Sequence, residues 1–271
     1  MSDIFKQLKD NKATLIAQKK FELKKCDAVF FADKIETSEA NEAVIVKAQA
    51  NDKELINKDV LSVKLVINTT NLMDSHKDVH FPGIWKKSIK DKKSFYLLKS
   101  HKMDFEFIIS DSMTATAENI EWRKLGFDYD GKTQALIFSG EIHKDRNEFM
   151  FNQYANGYVT NHSVGMMYVS IDLAINSNDK YYRTEKDVWD KYINDIANKE
   201  EAEANGYFWA VTEAKIIEGS AVPMGSNHIT PVLSIKDIEP SNDTQKEDGG
   251  SHESTFDIEE FKQFFTNKLN S

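Results

Sequence analysis

The hydrophobic pattern of the chain takes a period of two at Leu61. Leu61, Val63, Leu65 and Ile67 alternate with polar or smaller neighbours, which is typical of a strand with one buried face. The Asp130-Gly131 pair predicts a tight hairpin between two later strands. The further predicted strands are Phe95–His101, Phe105–Ser110, Glu121–Tyr129, Thr133–His143, Tyr158–Asp172 and Tyr207–Val222, with Val232–Ile235 expected to close the sheet.

The predicted fold is mainly β with flanking helices (α+β), in which six to eight strands form a closed antiparallel β-barrel. A parallel α/β fold would need a helix after nearly every strand, and the chain lacks them. Helices are predicted at Ile4–Lys25, Arg146–Ala155 and Thr184–Ala204, the last two followed by Gly157 and Gly206. With 40% hydrophobic residues, the chain can bury a sizeable core.

Changes in composition divide the chain into four predicted parts. Residues 1–59 form a basic helix and a mobile polar arm, and residues 60–236 form the barrel domain. Residues 237–255 are rich in Pro, Ser, Asp, Gly and Glu, which predicts a disordered acidic linker. Residues 256–271 predict a short amphipathic helix that grips a partner or its own domain through a phenylalanine face.

Charge and cysteine content narrow the class of protein. The net charge of −9 argues against a nucleic-acid-binding surface. No run approaches the roughly 18 to 20 apolar residues of a membrane span, and no signal-peptide core is seen, so we expect a soluble intracellular chain. Cys26 stands alone, which excludes an internal disulfide and a cysteine-based metal site.

A histidine, a serine and a carboxylate in strand-like contexts suggest nucleophilic chemistry. His101 ends the run FYLLKSH, Ser163 lies in NHSVGMM, and Glu218 is the carboxylate inside the last apolar strand. A serine hydroxyl needs a positioned base, and the base needs a group that fixes its tautomer. Glu213 is the second candidate for that group. His162 is adjacent to Ser163 in sequence, but neighbours on a strand point to opposite faces, so it is interpreted as structural.

An alternative site is the alternating run Asp74, His76, Asp78 and His80. In a straight strand these side chains would share one face, as metal ligands do. Pro82-Gly83 favours a loop instead. A metallo-hydrolase that uses Asp74, His76 and His80 is therefore kept as an alternative.

Four blocks of the sequence together resemble the prohead maturation proteases of tailed bacteriophages, which are related in fold to the herpesvirus assemblins. The blocks are NLMDSHKDVHFPGIWKKSI, SFYLLKSHKMDF, FMFNQYANGYVTNHSVGMMY and AVTEAKIIEGSAVPMGSN, and the resemblance covers residues 60–236. It implies a barrel of the herpesvirus-protease type, with His101 as base and Ser163 as nucleophile. Assemblins use a second histidine where Glu218 stands here. They also place an oxyanion donor on a loop with paired arginines, whereas Arg123, Arg146 and Arg183 are isolated.

The resemblance also implies a function. The chain would be a serine endopeptidase that cleaves scaffold and major capsid protein segments inside the assembling phage prohead, in the host cytoplasm. It would need no cofactor, nucleic acid or membrane, and it would cleave its own acidic linker. A homo-oligomer is left open. The alternative within the same fold is a non-catalytic capsid-assembly protein that binds scaffold.

Overall fold

Strands dominate the part of the chain that the structure, a computed structural model, describes: residues 2–25 and 59–237. The strands are β1 (Lys24–Lys25), β2 (Val60–Thr69), β3 (Asp78–His80), β4 (Phe95–Lys99), β5 (Ile108–Glu121), β6 (Lys132–His143), β7 (Asn161–Ile175), β8 (Tyr207–Val222) and β9 (Val232–Asp237). The helices are α1 (Ser2–Asp10), α2 (Lys12–Phe21), α3 (Lys86–Asp91), α4 (Glu148–Ala155), α5 (Arg183–Tyr192) and α6 (Lys199–Asn205). The predicted mobile arm up to residue 58, Cys26, the acidic linker beyond its first residue and the C-terminal helix lie outside the described residues.

The strands form one bent sheet in the order β1-β7-β8-β4-β5-β6-β2-β9, with β3 paired to β8 beside β4. The long strand β5 joins its two halves. Its first half pairs with β4 and its second half pairs with β6. The sheet folds over so that β2 contacts β7, and the main hydrophobic core lies between the two halves.

The prediction of a closed antiparallel barrel was wrong. Among the described residues, β1 and β9 stand at the two ends of the sheet and pair with β7 and β2, not with each other. The predicted closing strand at Val232–Ile235 exists, but it extends the edge beside β2. The sheet is also mixed, because β3 and β4 both run parallel to β8. The architecture is α+β, mostly strands with some helices around an open sheet.

The predicted hairpin at Asp130-Gly131 has a different form. β5 ends at Glu121, and a 3₁₀ turn over Trp122–Leu125 replaces the predicted strand Glu121–Tyr129. Trp122 and Leu125, spaced three apart, are both buried in a smaller apolar cluster, which favours a helical turn over alternation. Gly131 has a φ of 84°, so its predicted turn role holds within a longer loop.

The helix predictions were right in position and too long in two cases. The N-terminal helix is divided at Asn11, and the predicted helix Thr184–Ala204 is divided into α5 and α6. Helix α3 was not predicted, since its six residues give no periodic signal. Within the described residues, no helix is long and apolar enough to cross a membrane.

Candidate active site

Three adjacent strands bring the predicted site residues to one place in the sheet. In the antiparallel pair β7–β8, Ser163 lies directly opposite Ser220, and Gly165 lies opposite Glu218. Directly opposed residues point to the same face of a sheet, so all four residues share one face. On the other side of β8, the parallel strand β4 places Leu98 opposite Ser220. His101 follows three residues later.

His101 lies in a tight turn at the end of β4, not in the strand as predicted. Ser100 and His101 have φ values of 54° and 57°, a left-handed conformation that residues other than glycine seldom adopt. The turn is closed by a hydrogen bond from the Lys102 N–H to the Lys99 carbonyl at 3.3 Å, and Ser100 N–H donates to the Ala221 carbonyl at 3.0 Å. Conformations of this kind cost about 1–3 kcal/mol each and concentrate at functional sites. The turn directs the imidazole back over β8.

The imidazole of His101 is hydrogen-bonded to the carboxylate of Glu218. Nδ1 of His101 lies 2.5 Å from Oε1 of Glu218, and the side chains are only 1% and 2% exposed. An ionised carboxylate can only accept hydrogen bonds, so Nδ1 carries the proton and donates it. The other ring nitrogen, Nε2, is then left in its basic form. This is the orientation that a general base opposite a serine requires.

Ser220 links Glu218 to the backbone of the His101 turn. Its hydroxyl donates to Oε2 of Glu218 at 2.7 Å and accepts from the His101 N–H at 3.0 Å. Ser220 is fully buried. The sequence analysis quoted this serine in the Glu218-Gly219-Ser220 motif and gave it no role. The available signal was its spacing of two from Glu218, which places both side chains on one face of the strand.

His162 lies on the other side of β7 from Ser163, as predicted. Its Nδ1 is 3.0 Å from the Thr230 carbonyl, and its Nε2 is 2.9 Å from the Tyr154 hydroxyl. A carbonyl only accepts, so Nδ1 donates and Nε2 accepts from Tyr154. Burial lowers the pKa of His162 to about 4, and the ring is therefore neutral at pH 7. These contacts hold β7 to the helix α4 and to the loop before β9.

Glu213, the second candidate for the third member, lies five residues before Glu218 on β8 and pairs with Ser170. Its carboxylate is 3.7 Å from Lys87 Nζ. The structure therefore brings Glu218, and not Glu213, to His101.

The alternating Asp74–His80 segment forms a loop and the short strand β3. Asp74 Oδ1 accepts from the backbone N–H groups of His76 and Asp78 at 2.8 and 3.0 Å. His80 is buried between Asn68 and Tyr168. Within residues 2–25 and 59–237, no three His, Cys, Asp or Glu side chains come together as a group that could hold a metal ion. The segment thus belongs to a buried hydrogen-bond network.

This network contains two close carboxyl groups. Burial, followed by the charge of Asp78, raises the pKa of Asp74 to about 7. Asp78 accepts from the Tyr168 hydroxyl at 2.8 Å and forms an ion pair with Lys19 at 2.5 Å. Burial lowers the pKa of His80 to about 4. The loop is therefore connected to helix α2 through Lys19.

Comparison of the chain with protein-family models, curated proteins and solved structures found no match. The resemblance to prohead proteases stays a prediction from the sequence blocks. The arrangement of His101, Glu218, Ser220 and Ser163 is what supports a function.

Proposed function

We propose that the protein is a serine endopeptidase with Ser163 as nucleophile, His101 as general base and Glu218 as the group that orients His101. The observation that carries this proposal is the 2.5 Å hydrogen bond between His101 Nδ1 and Glu218, formed on the sheet face from which Ser163 projects. A buried carboxylate needs a partner. Here the partner is an imidazole held in the tautomer that serves proton transfer.

The proposed reaction has two steps. The Ser163 hydroxyl attacks the scissile carbonyl while His101 Nε2 takes the hydroxyl proton, and this proton passes to the leaving amine when the peptide bond breaks. Water then attacks the acyl-enzyme, and His101 takes a proton from the water and returns it to Ser163. Glu218 stabilises the imidazolium that forms in each step, because it accepts the Nδ1 proton throughout.

The proposed substrates are segments of phage scaffold and major capsid proteins, cleaved inside the assembling prohead in the host cytoplasm. The support for this choice is the resemblance of residues 60–236 to prohead proteases. The acidic segment 237–255 is a proposed site of self-cleavage, because a tethered segment reaches its own active site at high effective concentration.

Cleavage of co-expressed scaffold and capsid proteins from the same genome tests this proposal. Ser163→Ala should abolish processing, since loss of one member of such a triad costs roughly 10⁴-fold or more in rate. Ser170→Ala is the matched control, because Ser170 lies on the same strand and bonds Thr212 away from His101. Intact-mass measurement should show a shortened wild-type chain and a full-length Ser163→Ala chain. Undiminished processing by Ser163→Ala would contradict the proposal.

One observation favours the alternative, a non-catalytic scaffold-binding protein of the same fold. Ser163 is only 3% exposed and His101 only 2% exposed, so a substrate cannot reach them in this conformation. Processing unaffected by Ser163→Ala, together with retained scaffold binding, would support this alternative.

A further inference from the structure

The N-terminal segment, residues 2–25, adds a strand to the sheet edge beside the candidate nucleophile. β1 runs antiparallel to β7, with Lys24 opposite Met166 and Lys25 opposite Gly165. Gly165 is two residues from Ser163 and lies opposite Glu218. An extended peptide that binds by adding a strand to this edge would need the backbone positions that β1 holds.

The same edge is also held on the other flank of Ser163. The N–H of His162 donates to the Thr230 hydroxyl at 3.0 Å, and the Thr230 hydroxyl donates to the His162 carbonyl at 2.8 Å. His162 therefore directs its backbone groups away from β8 and toward the loop before β9. The chain's own residues occupy the edge of β7 on both sides of Ser163.

Ion pairs to two buried carboxylates hold the N-terminal segment in this position. Lys9 and Lys12 lie 2.7 and 2.8 Å from Glu185, whose side chain is 3% exposed. Lys19 lies 2.5 Å from Asp78, whose side chain is 2% exposed. Removing one partner of a buried ion pair is strongly destabilising, so these contacts favour the docked state of the segment.

Phe5 adds an apolar contact to the same docking. It is 7% exposed and belongs to the main core, where it packs edge-on against Tyr182. Lys9 and Lys12 bind Glu185 three residues further along from Tyr182. The segment is thus attached at both ends: α1 at the start of α5, and β1 at the edge of β7.

We propose that the N-terminal segment is an intramolecular inhibitor of the Ser163 site, which keeps the enzyme closed until β1 leaves the edge of β7. The proposal rests on the proposed serine-protease function. It accounts for the burial of Ser163 and His101, because the described chain shows the docked state. Docked and released states are then two conformations in equilibrium, and an extended substrate binds only the released one.

The test uses full-length protein and two irreversible probes that react with an activated serine. A small alkyl fluorophosphonate, which loses fluoride, reports on the nucleophile alone. A pool of tetrapeptidyl diphenyl phosphonates with randomised residues, which lose phenol, also needs the strand edge. The variant is Lys24→Pro/Lys25→Pro, because proline removes the backbone N–H that pairing requires. The control is Lys24→Thr/Lys25→Thr, which removes the same charges and keeps the N–H groups.

The expected result is a peptidyl labelling rate about tenfold higher in the proline variant than in wild-type or threonine protein, with equal fluorophosphonate labelling in all three. Equal peptidyl rates with normal fluorophosphonate labelling would overturn the inhibitor and leave the proposed function intact. Absence of fluorophosphonate labelling at Ser163 in all three would overturn the proposed function and the inhibitor with it.

A measurement on wild-type protein covers the case in which the proline variant does not fold. Full reaction with the peptidyl pool should raise amide hydrogen exchange in α2 and β1, because the bound peptide takes the place of β1. Reaction with the small fluorophosphonate should leave that exchange unchanged. Unaltered exchange in fully peptidyl-labelled protein would overturn the proposal.

Discussion

The carboxylate of Glu218 fills the space that a side chain at Gly165 would need. A Cβ atom on Gly165 would lie 1.9 Å from Glu218 Oε1 and 2.7 Å from its Cδ. Oε1 is the oxygen that accepts from His101. Glycine at this position is therefore a condition for the contact between Glu218 and His101.

Gly165→Ala should fold and lose activity, because the added methyl group displaces the carboxylate from His101. Misplacement of a catalytic group by about 1 Å can lower a rate about 100-fold. Turnover per folded molecule, with the folded fraction taken from circular dichroism, measures the effect.

Gly219→Ala is the control for this change. Its Cβ would meet Phe138 Cε2 at 2.7 Å on the opposite face of β8. We expect a loss of about 1–3 kcal/mol in the free energy of unfolding from overpacking, with activity per folded molecule retained. Equal activity of the two variants would contradict a positioning role for Gly165.

Ser220→Ala should lower kcat by about tenfold or more, which corresponds to ~1.4 kcal/mol of barrier, because it removes the link between Glu218 and the His101 turn. The matched control is Ser88→Ala. Ser88 accepts from the Ile216 N–H of the same strand at 2.9 Å, away from His101. Both variants lose a buried hydrogen bond, and we expect a similar loss of stability of about 1–3 kcal/mol. If Ser88→Ala lowered kcat as much as Ser220→Ala, the role of Ser220 would be general stability.

The two histidines next to the site should behave differently. His101→Ala should be as damaging as Ser163→Ala, and the double variant no worse than either, because members of a catalytic unit are not additive. His162→Ala should mainly lower the melting temperature, since it leaves Tyr154 and Thr230 without their partner. The reverse order of activities would mean that the assigned faces of β7 are wrong.

Asp74→Asn should stabilise the protein increasingly as the pH rises from 4 to 7. Burial and the charge of Asp78 raise the pKa of Asp74 to about 7 in the folded state, from an ordinary value of 3.8. Between these values the unfolded chain loses the proton and the folded chain keeps it, so the stability that this group contributes is present at low pH and lost as pH rises. Asparagine has no such proton.

Urea unfolding of both proteins at several pH values measures this difference. The lowered pKa values of His80 and His162 act in the opposite sense, with stability lost as pH falls below 6.5. They are common to both proteins and cancel in the comparison. A difference in unfolding free energy that is the same at pH 4 and pH 8 would contradict the raised pKa of Asp74.

The sequence located the main strands and the central contact of the site. The alternation at Leu61–Ile67 reports a buried face directly, and it corresponds to β2. His101 and Glu218 were chosen from the strand contexts and from the resemblance, and the structure places them in hydrogen-bonding contact.

The closure of the sheet and the role of β1 could not be predicted. Periodicity shows which face of a strand is buried but not which strand lies beside it, and barrel closure depends on such pairing between ends distant in sequence. β1 has two residues, both lysine, so it carries no alternation at all. The parallel pairing of β4 with β8, which brings His101 to Glu218, is equally a matter of tertiary contacts.

The most direct test is to locate a fluorophosphonate adduct on the folded protein by peptide mass mapping. The account predicts one adduct, on Ser163, formed by wild-type protein and slowed roughly 10⁴-fold or more in His101→Ala. An adduct on another residue, or a folded wild-type protein that takes no label after long incubation, would contradict it.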